Sequence, residues 1–466
     1  MILALYPSAM GSLPGGPLMR PAVVSPLSGV FGCRPVSRAI NPRPRKPTLA
    51  TRRVKRHPLP SRTVWELAQR HIDNKTEKIA YMKFLLVTYP DPESGHPTKY
   101  VRDSIPEIKS YPGGATTPTP KTISFKPGEL LGDETGAFGI KSWLEDLGHQ
   151  VVVTTDKEGP KSVFEKELPD ADVVLSQPFY PAYMTAQRFA IAKKLKLCVT
   201  VGIGSDHYDL DAANEHKVTV AEVSYSNSRS VAEHIVMTAL ILVRNFVASH
   251  EVAKSGGWNI ADCAERSYDL EGMHFGTIAA GRIGLDVLRK LKPFDLHLHY
   301  YDKHRLKPEV EQELGLIYHA SVDEMLPLLD VLNISCPLHP ETKGMVNAKF
   351  IAKCKHGVFI VNTARGGLCD ENAVAEACKT GQIGGYGGDV WYPQPAPKDH
   401  PWRTMPYNAM VPHISGTSLS AQTRYCAGTR EILEAFLEGK PYRTEYLIAD
   451  KGKLAGAGAH AYTTHK

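Results

Sequence analysis

The chain has 466 residues, 42% of them apolar, and a formal charge of +6, enough length and apolar content for more than one domain with its own core. The charge sits at one end: residues 1–65 hold eleven Lys and Arg and no Asp or Glu, so the remainder carries −5 and offers no electrostatic footprint for nucleic acid. The longest apolar run, IVMTALILV at 235–243, is too short to span a membrane.

The first 65 residues are rich in Pro, Gly and Ser and follow neither helical nor strand periodicity, so a disordered leader is expected over residues 1–81. Its acid-free, Arg-rich, Ser-containing composition fits an organelle transit peptide, its prolines fit a non-native upstream extension, and Met82 stands directly before the first strand. The eight cysteines form no CxxC pair and have no zinc-like spacing to histidine, which points to thiols of a reducing compartment and to no metal site. Localisation is therefore expected in the cytoplasm, or in mitochondria if the leader is a transit peptide.

From Lys83 onward, β-branched runs alternate with amphipathic segments: KFLLVTY, VVVTT, ADVVLSQ, KLCVTVG and VTVAEV over 83–223 predict one parallel sheet. A Pro- and Thr-rich excursion at 95–120 interrupts the first unit and reads as an arm lying over a surface, of the kind that buries against a partner subunit. YSNSRSVAEHIVMTALILVRNF predicts a long buried helix, with Ser230 and Glu233 as a capping box. A second series of strands follows, HFGTIAAG, DLHLHYYD, DVLNISCP, GVFIVNTA, GGYGGDVW and AMVPHI, and then a helix in SAQTRYCAGTREILEAFLEG that can return to the first sheet. The expected architecture is α/β: two Rossmann-like, doubly wound parallel-sheet domains with an active-site cleft between them. Residues 82–227 with 415–466 form one, and 228–414 the other.

Within HFGTIAAGRIGLDVLRKL the order is strand, tight turn, helix. Ala279 replaces the usual first glycine, Gly281 allows backbone to approach a pyrophosphate, Gly284 allows close packing, and Asp302 ends the next strand eighteen residues later, where ribose hydroxyls are received. This context predicts dinucleotide binding through Ala280, Gly281, Arg282, Ile283, Gly284 and Asp302. In FIVNTARGG, Arg365 lies just past a strand's carboxyl end, a position suited to clamp an anion. Six prolines between Pro393 and Pro412 make WYPQPAPKDHPWRTMPYNAMVPHISG a stiff loop that carries Gln394, Asp399 and His400 and ends at His413. A catalytic histidine usually leans on a carboxylate; here the partner offered is the amide of Gln394.

Together SQPFYPAY, GIGSDH, NSRSVAEH, GGWNIADC, GTIAAGRIG, CPLHPET, VNTARG, GGDVWYPQPAPKDHPW and VPHISGTS resemble NAD-dependent formate dehydrogenases of the D-2-hydroxyacid dehydrogenase superfamily, over residues 82–462 and with a bacterial-type arm. The resemblance implies Arg365 and Asn227 as formate ligands with the Ile203 backbone nearby, Pro178 and Phe179 as an apolar wall, and His413 with Gln394 beside the substrate. It implies NAD contacts from Pro337, His339, Thr363, Asp389, Ser415 and Gly416, and a homodimer. Ala279 agrees with the family; Lys303 departs from the arginine common there. A D-2-hydroxyacid dehydrogenase would instead pair His413 with glutamate, and an NAD-sensing, corepressor-like protein would relax the substrate pocket. Gln394, and its presence beside Asn227, Arg365 and His413, speak against both.

Overall fold

The computed structural model describes residues 81–90, 104–106, 108 and 139–462. Apart from Tyr81, the leader lies outside them, as does most of the proline-rich arm. Fourteen strands form two sheets of seven among the described residues. The first contains β1 (Lys83–Val87), β2 (Gln150–Thr154), β3 (Val173–Ser176), β4 (Leu197–Thr200), β5 (Thr219–Glu222), β13 (Leu447–Asp450) and β14 (Lys453–Leu454), in the order β14-β13-β5-β4-β3-β1-β2. Its first five strands are parallel, and β13 adds antiparallel to β5.

The second sheet contains β6 (His274–Ile278), β7 (His297–Tyr301), β8 (Leu316–Tyr318), β9 (Val331–Ile334), β10 (Val358–Asn362), β11 (Ile383–Gly388) and β12 (Asn408–Met410). Its order, β12-β11-β10-β9-β6-β7-β8, is the doubly wound dinucleotide-binding order with one further edge strand. The chain winds outward in both directions from β6 and β9, so the crevice between them is where such a sheet binds ligand. Strands β1, β3, β4, β9, β10 and β11 are buried along their whole length. Helices cover both faces of a parallel sheet, which is why these strands read as unbroken apolar runs instead of alternating ones.

Two helices join the halves. Helix Ser228–Val243 packs Val231, Ile235, Ala239 and Val243 with Phe275, Val287 and Val361 against the second sheet. Helix Leu419–Leu437 returns Ala421, Tyr425, Ile432 and Leu433 to a core with Phe84, Val173 and Val199 of the first. The expected capping box does not form. The helix starts at Ser228 after Asn227, which makes no side-chain cap bond; Ser230 meets the Ser418 hydroxyl at 2.9 Å and Glu233 pairs with Lys290 at 3.1 Å. The turn through 224–227 admits the chain to the helix two residues before Ser230, and tertiary partners take both side chains. No single helix among the described residues is long and apolar enough to cross a membrane.

Three histidines form a ladder across one margin of the second sheet. His299 Nε2 lies 2.8 Å from His274 Nδ1, and His299 Nδ1 lies 2.9 Å from His319 Nε2. One proton per contact satisfies the ladder with every ring neutral. Burial, reinforced by the three neighbouring histidines, pushes His299 down to about 4, and burial also lowers His319. An unfolded histidine titrates near 6.5, so between pH 6.5 and 4 the unfolded chain takes up a proton that the folded ladder refuses. The stability due to His299 is therefore complete above pH 6.5 and should decline by about 1.4 kcal/mol per pH unit down to pH 4. Urea denaturation from pH 7 to 4 checks this: His299→Gln, which cannot take up the proton, should lower stability at pH 7 yet show a shallower acid dependence than the parent.

Candidate active site

The glycine turn follows β6 at the crevice. Ala279 takes φ +75°, so this alanine adopts the left-handed geometry that glycine usually supplies, at a cost of roughly 1 kcal/mol. Gly284 is required by packing, since a Cβ there would lie 2.2 Å from the Ala279 carbonyl oxygen; at Gly281 a Cβ would meet only open space. Helix Arg282–Leu291 starts directly after Gly281 without a side-chain cap, leaving its first amides free for an anion. Asp302 stands just past β7, takes the Ala280 amide at 2.8 Å and the His304 amide at 2.7 Å, and keeps further lone pairs on both oxygens. The turn, the helix terminus and the carboxylate thus converge at one corner of the crevice.

Across from this corner, Arg365 follows β10 and reaches the first half of the molecule. Its Nη2 lies 2.7 Å and its Nε 2.8 Å from Asp206 Oδ1, while Nη1 donates to the Ala364 carbonyl at 2.7 Å. The approach depends on Gly204 (φ +106°), where a Cβ would sit 1.8 Å from Nη2; Ile203 precedes it on the same turn. Burial alone would raise the Asp206 carboxyl, but Arg365 holds it below its usual range. Asp206 lies in the quoted GIGSDH motif, yet no local pattern separates it from a surface acid. Glu222 was missed for the same reason: it ends β5, takes the Gly204 amide at 2.9 Å and pairs with Arg282 at 3.2 Å, a second bridge between the halves.

The proline-rich loop is pinned by its aromatics. Trp391 Nε1 donates to Val411 O at 2.9 Å, Trp402 Nε1 to Glu371 O at 3.0 Å, and buried His400 contacts Tyr392 O at 3.2 Å and Glu371 at 3.0 Å. So anchored, the loop brings Gln394 to His413. Gln394 Nε2 donates to Phe179 O at 2.8 Å and lies 2.9 Å from His413 Nδ1. A carbonyl only accepts, so the contact with Phe179 O fixes which end of the amide is NH2, and its second hydrogen points to Nδ1. Gln394 Oε1 lies 3.2 Å from the same Nδ1, and the shorter contact with Gln394 Nε2 favours a neutral His413 ring with its proton on its own Nε2. The Phe179 ring stands edge-on to His413 at 6.5 Å between centroids, and Pro178 is pressed by Gly202, where a Cβ would lie 2.9 Å away. Burial, and then the charge of Arg365, push His413 down to about 3.

Asn227 Nδ2 donates to Tyr425 Oη at 2.8 Å, and a Cβ at Gly416 would lie 2.5 Å from that nitrogen. Asp389 Oδ2 accepts the Ser415 amide at 2.6 Å, and burial raises its carboxyl to about 6 against that bond. Four buried polar atoms of the expected site residues have no protein partner: Asn227 Oδ1, Asp389 Oδ1, Arg282 Nη1 and His339 Nδ1. Buried polar groups are normally satisfied, so these fit the demand of a polar ligand such as a dinucleotide. Thr363 is buried one residue past β10, and the Pro337 carbonyl accepts from Thr342 at 2.8 Å, a bond within its own loop.

Residues 236–415 match the family described as D-isomer specific 2-hydroxyacid dehydrogenase, NAD binding domain. A formate dehydrogenase of Pseudomonas sp. (strain 101) is 62% identical over 381 residues, covering 82% of this chain and 95% of the relative. The chain belongs to the formate dehydrogenase family. Among solved structures, a Granulicella formate dehydrogenase is 60% identical with a TM-score of 0.77, covering 80% of this chain and all of that one. An NAD-dependent formate dehydrogenase from Staphylococcus aureus, solved in complex with NAD, is 37% identical with a TM-score of 0.65, covering 79% and 99%. In this family member an amide faces the histidine, while burial and the Arg365 charge hold the ring neutral. Replacing Gln394 with Glu would place a carboxylate beside His413 and should raise its pKa from about 3 by more than one unit, because the charged ring then gains a partner. NMR titration of labelled histidine, with His413→Gln to assign the signal, checks it; an unaltered titration would remove Gln394 from the site.

Proposed function

We propose that the protein oxidises formate to CO2 by direct hydride transfer to NAD, and that no residue removes a proton. The observation that carries this reading is the neutral His413 held by an amide next to Arg365. A hydroxy acid has a hydroxyl proton to surrender, for which a carboxylate-backed histidine is the suited base. Formate is already ionised and has no hydroxyl, and its product is uncharged. NAD supplies the hydride acceptor. Arg365 and Asn227 bind the carboxylate, the Ile203 backbone lies alongside, and the Nε2–H of His413 donates to it. Pro178 and Phe179 form an apolar wall that keeps water out.

Residues 82–227 with 415–466 would bind substrate and 228–414 would bind NAD through Ala280, Gly281, Arg282, Ile283, Gly284, Asp302, Pro337, His339, Thr363, Asp389, Ser415 and Gly416. Asp389, with its unused oxygen, suits an N–H donor such as a carboxamide. Exposed Trp258, Ile260, Phe246 and Tyr268 support a homodimer that covers them. The seven free thiols among the described residues suit a reducing compartment, the cytoplasm or, with a cleaved leader, mitochondria, where the enzyme would serve formate catabolism.

Charge governs the rate. Formate loses its negative charge on the way to CO2, so a cation that grips the anion without restraint stabilises the ground state more than the transition state. Asp206 offsets part of the Arg365 charge while aiming its remaining N–H groups. Arg365→Ala removes the grip altogether, and kcat/KM for formate should fall by roughly a hundredfold or more while NAD affinity, measured by fluorescence quenching, stays near that of the parent. Turnover at low formate equal to the parent's would sink the clamp. Asp206→Asn keeps the shape and removes the charge: KM for formate should fall together with kcat, the signature of a tighter ground state. A raised KM with unchanged kcat would show that Asp206 only positions Arg365.

A further inference from the structure

Beyond Asp302 the chain continues Lys303, His304, Arg305, a run that ought to welcome a phosphate. Both permanent cations are engaged. Arg305 lies 2.9 Å from Glu311 Oε1 through Nε and 2.9 Å from Oε2 through Nη2. Lys303 Nζ lies 2.8 Å from Glu341 Oε2. That bond is the first cause of a raised Lys303 pKa.

Topology says where this pair stands. In the second sheet β6 lies between β9 and β7. The residues after β7, which include Asp302 and Lys303, and the loop after β9, which includes Pro337, His339 and Glu341, flank the glycine turn from opposite sides. The ion pair spans that gap at the corner where Asp302 ties to the Ala280 amide. By the general geometry of such sheets the adenosine ribose is received here.

We propose that Glu341 is a cofactor-specificity residue: by holding Lys303 across the ribose corner it withholds the nearest cation from a 2′-phosphate, so that Asp302 and Glu341 together reject one. The proposal rests on the reading of this corner as the NAD site. Asp302 acts by direct repulsion and Glu341 by occupying the counter-charge. The two effects are separable because Lys303 and Glu341 are 56% and 58% exposed. A pair this wet contributes little to folding, so the variant should fold, and the released lysine should add a modest increment to phosphate binding.

The test uses the full chain and two cofactor fragments, 5′-AMP and adenosine 2′,5′-bisphosphate, with dissociation constants from calorimetry. Glu341→Gln should tighten the bisphosphate about fivefold and leave 5′-AMP within about twofold of the parent. Adding Lys303→Ala should abolish the gain, and adding Asp302→Gln should enlarge it. Unchanged bisphosphate binding in Glu341→Gln, or a gain that survives Lys303→Ala, would overturn the proposal while leaving the NAD site standing. Failure of the parent to bind 5′-AMP would overturn the NAD reading of the corner and the proposal with it.

Discussion

The ion pair of Arg365 and Asp206 joins the two halves at the proposed substrate site. Arg365 follows β10 of one sheet and Asp206 follows β4 of the other, so neither half presents a finished anion site alone. The closeness is steric as much as electrostatic. Gly204 leaves room where any side chain would strike the guanidinium, and Glu222 fixes the Gly204 amide while also reaching Arg282 beside the glycine turn. The Arg365 ion pair, the glycine turn and the placement of the halves thus share one network, in which removing a charge leaves a half-buried partner uncompensated.

Everything else in the pocket is arranged around keeping net charge low. Burial and the nearby charge of Arg365 hold His413 well below its usual range, and the amide of Gln394 orients it without adding a charge. A carboxylate there would favour the cation and turn the ring into a base, the equipment for hydroxy-acid chemistry on the same sheet order. The amide at residue 394 leaves His413 without the acid partner that hydroxy-acid oxidation needs. The side chain of Gln394 is positioned by Trp391, His400 and Trp402 of the same loop, whose hydrogen bonds and ring contacts anchor it.

How much of this could be read from the chain follows from how local each signal is. The long buried strands, the glycine turn with Asp302 in register and the pairing of His413 with an amide were readable because each rests on residues close in sequence or on a fold rule. Strands β8, β13 and β14 escaped because two to four residues at a sheet edge have no period to detect. Ser230 and Glu233 matched a capping box by spacing, but their partners are Ser418, the N-cap of helix Leu419–Leu437, and Lys290 of helix Arg282–Leu291. Asp206, Glu222 and Tyr425 gain their roles only through contacts made by folding, and Tyr425 reaches Asn227 across 198 positions.

The same distinction explains why the general glycine fingerprint and this chain can disagree without consequence. Ala279 breaks the glycine pattern, yet its φ of +75° shows the turn is imposed by what surrounds it. β6 ends at Ile278, the Ala279 amide is held by the Tyr301 carbonyl at 2.8 Å, and Gly284 closes against the Ala279 carbonyl. Those contacts over-determine the conformation, and a strain of roughly 1 kcal/mol is small beside them. Gly284 has no such latitude, because its constraint is a collision with backbone, not a torsional preference. A motif position is replaceable when the fold supplies the conformation, and fixed when the fold occupies the space.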